Sequence, residues 1–307
     1  MKFWVGVTDN RWYQFLSERG LEEVNFWQPS ATPPFTDAPV GLPFLFKLKR
    51  PNNHIAGGGF FVTYSMLPIS LAWEIFGEKN GAASLDELLE LLDPLTSARG
   101  SGNIGCTVLA NPFFLPTDAW MANPPGWASS IVRGKMYSAE LGDGALIWSR
   151  MQLALGAADG EGELPGNAVR EPKEKYGAPT FVRPRLGQSA FRVLVTDAYK
   201  RRCAITGENT LVALEAAHIV PYSGAGAHDV RNGMLLRADF HRLFDVGLVS
   251  VTPDLRVRIS PRIREAYFNG KAYYRMNDLP LSVIPEQAAF RPDPDRLNWH
   301  LKNRFQA

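Results

Sequence analysis

The chain contains little cysteine, because only Cys106 and Cys203 occur among its 307 residues. Two cysteines are too few for a four-thiolate zinc site, and their scarcity fits a reducing compartment. No uncharged apolar run reaches the roughly 18 residues that a membrane-spanning helix needs. The N-terminal segment also lacks the apolar stretch and small-residue cleavage site of a signal peptide. We therefore expect a cytoplasmic protein with no membrane contact and no structural zinc.

The charge has no dominant sign, since the net charge is only +2. A balance this small does not by itself indicate a polyanionic partner. Its distribution is uneven, however: residues 1–155 carry 11 Lys and Arg against 14 Asp and Glu, whereas residues 156–307 carry 22 against 17. A basic excess of this kind suits a surface that follows phosphates. The candidate phosphate contacts in the second half are Arg185, Arg192, Arg201 and Arg202.

The chain is long enough for two domains, and its apolar content of 45% is sufficient for sizeable cores. Residues 156–181 are rich in Gly, Pro and charged residues and show no sustained apolar period, which is typical of a linker. We therefore predict one domain over residues 1–155 and a second over residues 182–307, joined by the linker 156–181.

The first domain mixes short strand patterns with helical ones, which predicts an α+β fold. Asp9 and the segment after it predict a capped helix. A triple glycine inside a strand pattern predicts a bulge or a close backbone approach. The predicted strands are KFWVGVT, EVNFWQP, LPFLFKLKR, IAGGGFFVTYSML and IGCTVLANPFFLP, and the predicted helices are NRWYQFLSERG, LAWEIFGEKNG and SLDELLELLDPL.

The stretch from Cys203 to Asp245 carries the most specific pattern. An apolar run ends in Glu215-Ala-Ala-His218-Ile, a Gly-rich loop and Asn232 follow, and His241 lies about two turns into an apolar helical segment. This order and spacing resembles the HNH nucleases, the ββα-metal endonucleases, and among them the Glu-Ala-Ala-His-Ile variants. The resemblance implies a metal-dependent DNA endonuclease that uses one divalent ion, Mg²⁺ or Mn²⁺.

Matched by position, three residues receive catalytic roles from this resemblance. His218 would be the general base, because a histidine with an unperturbed pKa of about 6.5 is largely neutral near pH 7. Asn232 would orient the active-site loop and strand, and His241 would be a ligand of the metal ion.

The second metal ligand is not defined by the resemblance. Many family members have an Asp or His just before the base histidine, and here Ala217 stands in that place. Asp245 lies four residues after His241, on the same helical face, and is one candidate. Glu215 is the other. Many HNH domains also carry two Cys-x-x-Cys zinc knuckles. Here Thr206 occupies the position at which a second cysteine would follow Cys203.

The strand FLFKLK, followed by a turn and IAGGGFF, resembles the PUA-like superfamily, whose EVE, ASCH, YTH and SRA members bind nucleic acids, several by enclosing a modified base. This resemblance implies a partly closed β-barrel with helices. The candidate pocket residues, which combine aromatic faces with an amide as an unstacked base requires, are Trp12, Asn25, Phe26, Trp27 and Tyr64. The candidate phosphate contacts of this domain are Lys47, Lys49, Arg133 and Lys135.

In combining a PUA-like domain with an HNH nuclease, the chain resembles the modification-dependent restriction endonucleases. This resemblance implies that the chain reads a modified cytosine in double-stranded DNA through a flipped base and cuts with the HNH domain. One such site cuts one strand, so a double-strand break would require two protomers or two visits. The sequence leaves open whether the chain forms a homodimer. Two other functions also remain open. The first domain could sense a partner protein or a small molecule, or the chain could be a catalytically inactive DNA-binding protein.

Overall fold

The computed structural model describes residues 1–29, 38–93, 102–158, 187–221 and 229–307. The chain forms two compact units, Met1–Arg185 and Leu186–Ala307. Helices and strands occur in both, so the predicted α+β class is confirmed. The predicted linker, residues 156–181, begins within a helix that runs to Ala158, and its remainder lies outside the described residues. Within those residues, no helix combines the length and apolar character needed to cross a bilayer.

The first unit is built on a mixed seven-stranded sheet in the order β2-β5-β4-β3-β1-β7, with β6 paired to β4. Strands β1 and β3 are parallel, and the other pairs are antiparallel. No pairing joins β2 to β7 in the part of the chain that the structure describes, so the sheet is open. The strands are β1 (Lys2–Thr8), β2 (Glu23–Gln28), β3 (Pro43–Leu48), β4 (His54–Pro68), β5 (Asn103–Phe114), β6 (Met121–Ala122) and β7 (Gly134–Ser138).

The helices of the first unit begin where capping residues satisfy free backbone N–H groups. The Asp9 carboxylate accepts from the Arg11 N–H at the start of α1, and the Ser84 hydroxyl accepts from the Glu87 N–H at the start of α3. The helices are α1 (Asn10–Ser17), α2 (Ile69–Phe76), α3 (Leu85–Leu92) and α4 (Gly142–Ala158). The predicted strands and helices are confirmed, whereas β6, β7 and α4 had no counterpart in the sequence prediction.

The triple glycine of β4 lies where three strands approach closely. A Cβ at Gly57 would stand 2.3 Å from the Phe113 carbonyl oxygen, and one at Gly58 would stand 2.7 Å from the Phe44 carbonyl oxygen. The register between β4 and β5 shifts directly after Gly58. Both predicted features, the close backbone approach and the bulge, are therefore confirmed. Any side chain at these positions would push the central strands apart.

The buried Asn80 ties β2 to the helical layer. Its carbonyl oxygen accepts from the Trp27 Nε1–H at 2.8 Å, and its side-chain oxygen accepts from the Asn25 amide at 2.8 Å. Its own amide donates to the carbonyl oxygens of Ala72 and Gly77. An Asn with no exposed surface is stable only with such partners. The side chains of β2 are thereby fixed in direction.

The second unit contains a ββα arrangement. Strands β8 and β9 are antiparallel, with His218 opposite Gly233, and helix α6 follows β9 without an intervening residue. A second hairpin, β10 and β11, encloses a turn at Pro253 and Asp254. The elements are α5 (Gln188–Ala198), β8 (Leu214–His218), β9 (Gly233–Arg237), α6 (Ala238–Asp245), β10 (Val249–Val251), β11 (Val257–Ile259), α7 (Arg262–Tyr267), α8 (Lys271–Tyr274) and α9 (Pro294–Asn303).

Cys203 belongs to the core of this unit and organises the turn before β8. Its buried sulfur accepts from the Thr206 N–H at 3.4 Å and from the Arg237 N–H at 3.3 Å. The second contact joins the turn to the end of β9. Cys106 lies in the first unit and is also buried, so neither thiol is at the surface.

Helix α9 is attached to the ββα arrangement through the buried His300. Its Nδ1 lies 2.8 Å from the Ser250 Oγ, its Nε2 lies 3.1 Å from the Phe244 carbonyl oxygen, and its ring stacks on the Phe244 ring at 3.7 Å. Burial lowers the pKa of His300 from its ordinary value of 6.5 to about 4. His300 is therefore neutral in the folded chain near pH 7.

We predict that His300 makes the stability of the fold sensitive to mild acid. Its folded pKa is below its unfolded value, so the contribution is complete above pH 6.5 and is lost as the pH falls toward 4. Between pH 7 and pH 4.5 the free energy of unfolding should fall by about 2–3 kcal/mol from this group alone. Urea unfolding of the wild-type chain and of His300→Gln, which keeps polar contacts but does not titrate, measures the difference. Equal pH dependence in the two proteins would contradict this prediction.

Candidate functional site

His218 ends β8 and is held by an aromatic ring from α5. Its imidazole stacks on Phe191, with ring centroids 4.0 Å apart and planes inclined by 10°. The opposite residue is Gly233, and a Cβ there would lie 2.4 Å from the Val195 Cγ2 and 2.9 Å from the Phe191 ring. Gly233 thus allows α5 to approach closely enough for the ring to orient His218.

Asn232 joins the segment after His218 to the start of β9. Its side-chain oxygen accepts from the Val220 N–H at 2.9 Å, and its amide donates to the Val220 carbonyl oxygen at 2.9 Å. Its backbone carbonyl also accepts from the Ile219 N–H at 2.8 Å. Asn232 is fully buried and Val220 is half-buried, so the Asn232 side chain depends on these bonds for its polar partners. These bonds hold the segment after β8 against the start of β9.

His241 lies on α6 between two carboxylates. Its Nδ1 lies 2.6 Å from Glu215 Oε2 on β8, and its Nε2 lies 3.4 Å from Asp245 Oδ2 one turn later on α6. Asp245 and Glu215 are both about half exposed. The structure therefore brings together the three residues that the sequence had proposed for a metal site, with His241 in the middle.

The donor atoms at His241 suit a divalent cation. With the ring proton on Nδ1, beside the Glu215 carboxylate, the lone pair of Nε2 is free for a metal ion. Two ligands of one small cation lie about 3 Å apart, since each bond is about 2.1 Å, and the Nε2–Asp245 separation is close to that distance. Across the described ranges, no cluster of three or more His, Cys, Asp or Glu side chains has metal-binding geometry. A cation here would complete its shell with water and phosphate oxygens.

An ion pair at the start of α6 lies beside these groups. The Arg237 guanidinium donates to both Asp239 oxygens, at 2.6 and 2.7 Å, and the Tyr273 hydroxyl donates to the same carboxylate at 3.3 Å. The hydrogen bond from Arg237 lowers the pKa of Asp239. Asp239 and Tyr273 line an open depression together with Glu215, His241, Arg242 and Asp245. None of Arg237, Asp239 and Tyr273 had a role in the sequence prediction, since each is an ordinary surface type.

The first unit contains a cavity of about 260 Å³. It is lined by three of the aromatic residues that the sequence had proposed and by four polar groups. The lining residues are Val7, Asp9, Trp12, Phe26, Trp27, Gln28, Pro29, Lys49, Val132 and Arg133. Its volume is near the lower end of the roughly 300–1,000 Å³ found for small-ligand pockets.

The aromatic walls of this cavity are rigid. The Trp12 Nε1–H donates to the Asn25 carbonyl oxygen at 3.1 Å, and the Trp27 Nε1–H donates to the Asn80 carbonyl oxygen at 2.8 Å. The Phe26 ring contacts Trp12 edge-on at 5.6 Å. Because both indole N–H groups are bonded to backbone, only ring faces remain for a ligand.

Two residues proposed for this pocket do not line it. Asn25 is fully buried and its amide donates to Asn80, so it faces the helical layer instead. Tyr64 lies on β4 and hydrogen-bonds to Gln28, a lining residue, while burial raises the pKa of the Tyr64 hydroxyl. Strand alternation could not decide the direction of Asn25, because both faces of β2 are buried.

The proposed phosphate contacts fall into different environments. Lys49 and Arg133 line the cavity, and Lys49 pairs with Asp9 at 2.9 Å. Lys47 is buried, where it donates to Asn53 and lies 5.2 Å from the centre of the Trp127 ring. The remaining proposed cations are Lys135, which lies over the Tyr137 ring, Arg192 on α5, Arg201, which pairs with Asp197, and Arg202, which donates to the Gly207 carbonyl oxygen. Arg185 lies outside the described residues.

Sequence reasoning did not identify the partners that fix the two histidines. Phe191 was visible only as one apolar residue of a helix, 27 positions before His218, and Val220 acts through its backbone alone. The Glu215 contact to His241 joins residues 26 positions apart. No local pattern signals such partners, because they meet only when the elements pack.

Residues 203–252 match the family model of the HNH endonucleases. We found no curated protein that matches the chain. The ASCH structure from Zymomonas mobilis is similar at 8% identity over 47% of this chain and 94% of that chain, with a TM-score of 0.35. The modification-dependent TagI restriction endonuclease is similar at 15% identity over 92% of this chain and 75% of that chain, with a TM-score of 0.27. The family match spans β8, β9 and α6, and it confirms the predicted HNH endonuclease module.

We predict that Asn232→Asp destabilises the second unit. The substitution keeps the size of the side chain but replaces the donor to the Val220 carbonyl oxygen by a second acceptor in a buried place. The free energy of unfolding should fall by about 2–3 kcal/mol, the cost of leaving such a group unsatisfied. Denaturant unfolding of this variant is compared with Asn209→Asp, at an exposed position. A loss of unfolding free energy no greater than that of Asn209→Asp would contradict a stabilising role for the Asn232–Val220 hydrogen bonds.

Proposed function

We propose that this chain, whose second unit carries an HNH endonuclease module, is a modification-dependent DNA endonuclease that reads a modified cytosine. One observation carries the proposal: the same chain holds the nuclease module and, in its other unit, a rigid aromatic cavity of about 260 Å³ lined by polar groups. A cavity with aromatic walls suits a flipped base, which stacks on rings and is read through hydrogen bonds at its edge.

In this proposal His218 is the general base. It ends β8, and the stack on Phe191 holds its ring in one orientation. A base within reach of a water molecule takes its proton as the oxygen attacks the phosphorus atom. Asn232 keeps the strand end in place through its bonds to Val220, so its part is to position His218.

His241 and Asp245 are the proposed ligands of a single Mg²⁺ or Mn²⁺ ion, and Glu215 is the group that orients His241. The support is the order of contacts, since Glu215 meets Nδ1 whereas Asp245 meets Nε2. A divalent cation at such a site stabilises the negative charge that develops on the phosphate and the leaving oxygen. We propose no structural zinc, because both thiols are buried and lie in different units.

The first unit, in this proposal a PUA-like reader, supplies the selectivity. Trp12, Phe26 and Trp27 offer ring faces, and Gln28, Lys49 and Arg133 offer hydrogen-bonding groups. Contacts to phosphate position a nuclease without specifying a sequence, so the nuclease module alone would cut with little selectivity. Tethering it to a reader raises its effective concentration near the modified base.

The proposed partner is double-stranded DNA in the cytoplasm that carries modified bases, as in defence against phage. The basic excess of residues 156–307 supports contact with its phosphates. A double-strand break requires two cuts by a one-site module, and a homodimer is the arrangement that we propose for it.

We predict that His218→Ala abolishes metal-dependent cleavage and leaves DNA binding nearly unchanged. Loss of a general base lowers the rate by about a hundredfold to ten-thousandfold. The measurement is nicking of a plasmid with Mg²⁺ or Mn²⁺, beside binding to the same DNA. The matched control is His54→Ala, which removes a half-buried histidine from the first unit. Cleavage by His218→Ala at a rate near that of the control would exclude His218 as the base.

We predict that Trp27→Ala removes the preference for modified DNA and spares nicking of any DNA at high enzyme concentration. The lost ring face is worth about 1–3 kcal/mol of base stacking, which corresponds to roughly fivefold to a hundredfold in affinity. Trp27→Phe keeps a ring and serves as the control, and thermal unfolding checks that both variants are folded. The measurement is the affinity of the wild type and both variants for duplexes with unmodified, methylated, hydroxymethylated and glucosylated cytosine. Equal wild-type affinity for all four would favour sensing of a partner or a small molecule by the first unit.

A further inference from the structure

The turn between α7 and α8 presents an aromatic side chain to solvent. Phe268 is 90% exposed, the highest value for a large hydrophobic side chain in the described residues, and its neighbour Tyr267 is 66% exposed. A single exposed apolar residue is common, but a ring with almost no protein contact contributes nothing to the core. The fold therefore gives no reason of its own for a Phe at this place.

The backbone at Phe268 makes its presence more unusual. Its φ is 54°, in the left-handed region, where a Cβ costs free energy. The residue ends α7, and its N–H donates to the Arg264 carbonyl oxygen at 2.9 Å. Glycine is the common residue at such a helix end. Stability alone would therefore favour glycine at position 268, where this chain carries an aromatic ring instead.

The turn is also held rigidly. The Tyr274 hydroxyl accepts from the Arg264 N–H at 2.9 Å and lies 3.0 Å from the Ser260 carbonyl oxygen, to which it can donate. A Cβ at Gly270 would stand 2.8 Å from the Tyr274 ring, so this ring packs directly on the turn. The position of Phe268 is thus set before any partner arrives, which reduces the entropy lost on binding.

The surroundings of Phe268 are strongly basic. Residues 256–275 contain six Lys and Arg and one acidic residue, Glu265, and all six cations are exposed. Three of these cations, Arg264, Lys271 and Arg275, share an open depression with Phe268. None of the three forms an ion pair with any residue that the structure describes. Their charge is therefore available to an anionic partner.

We infer that the α7–α8 turn is a DNA-binding element, in which the Phe268 ring stacks against a base at an unstacked step while Arg264, Lys271 and Arg275 contact the flanking phosphates. The inference rests on the proposed function, which supplies DNA as the partner. An apolar ring among unpaired cations is the combination that stacks on bases and follows a phosphate backbone. Protein interfaces, in contrast, are depleted in lysine and in unpaired charge at their centres.

The test is the affinity of the full chain for an unmodified duplex at several salt concentrations, without divalent metal. Phe268→Ala should weaken binding by about fivefold to a hundredfold, the range for loss of one stacked base, without changing the salt dependence. Lys271→Ala should reduce the slope of log affinity against log salt by about one, because one phosphate contact is lost. Phe268→Tyr should bind like wild type. The matched control is Val212→Ala, which trims another exposed apolar side chain of the second unit.

A stability measurement separates DNA binding from a structural role. Phe268→Gly relieves the left-handed strain, so its Tm should equal or exceed that of wild type while its affinity for DNA falls. Unchanged affinity in Phe268→Ala would overturn the inference and favour a protein contact at the turn. Loss of affinity only in parallel with loss of folded protein would also overturn it. A wild-type chain that neither binds nor cuts DNA would refute the proposed function itself, a result distinct from both.

Discussion

The double hydrogen bond between the Asn232 side chain and the Val220 backbone is the constraint on which the second unit's site depends. It joins the chain just after β8 to the chain just before β9, and it does so with a fully buried amide. The pairing of His218 with Gly233 lies one residue away. The direction of the His218 side chain therefore depends on the hydrogen bonds of a buried amide, which are costly to leave unmade.

Three histidines of this unit, His218, His241 and His300, lie in different surroundings. His218 is oriented by a ring and remains partly open to solvent. His241 has a carboxylate on each side, which suits a metal ligand. His300 is enclosed and neutral, and it stabilises the attachment of α9. The same residue type thus lies in three different environments, of which that of His300 is closed to water.

Aromatic residues are likewise used in two ways. In the first unit Trp12 and Trp27 are buried, and backbone acceptors hold both indole N–H groups, so their faces form the fixed walls of a cavity. In the second unit Phe268 stands in solvent on a strained but rigid turn. The fold fixes the rings themselves in the first unit, whereas at Phe268 it fixes the turn that carries the ring. Less conformational entropy is therefore lost when a ligand binds at either place.

The amino-acid sequence by itself determined the features that depend on near neighbours along the chain. The order Glu215, His218, Asn232, His241 predicted the ββα module, and Asp9 predicted the start of α1, because caps and helical faces are set within a few residues. Tertiary structure alone decided which partner each side chain meets. Asn25 turns to Asn80, Lys47 is buried near Trp127, and His218 stacks on Phe191. Periodicity tells which face of an element is buried, but it does not tell which distant residue will cover that face, since register and packing between elements fix that contact.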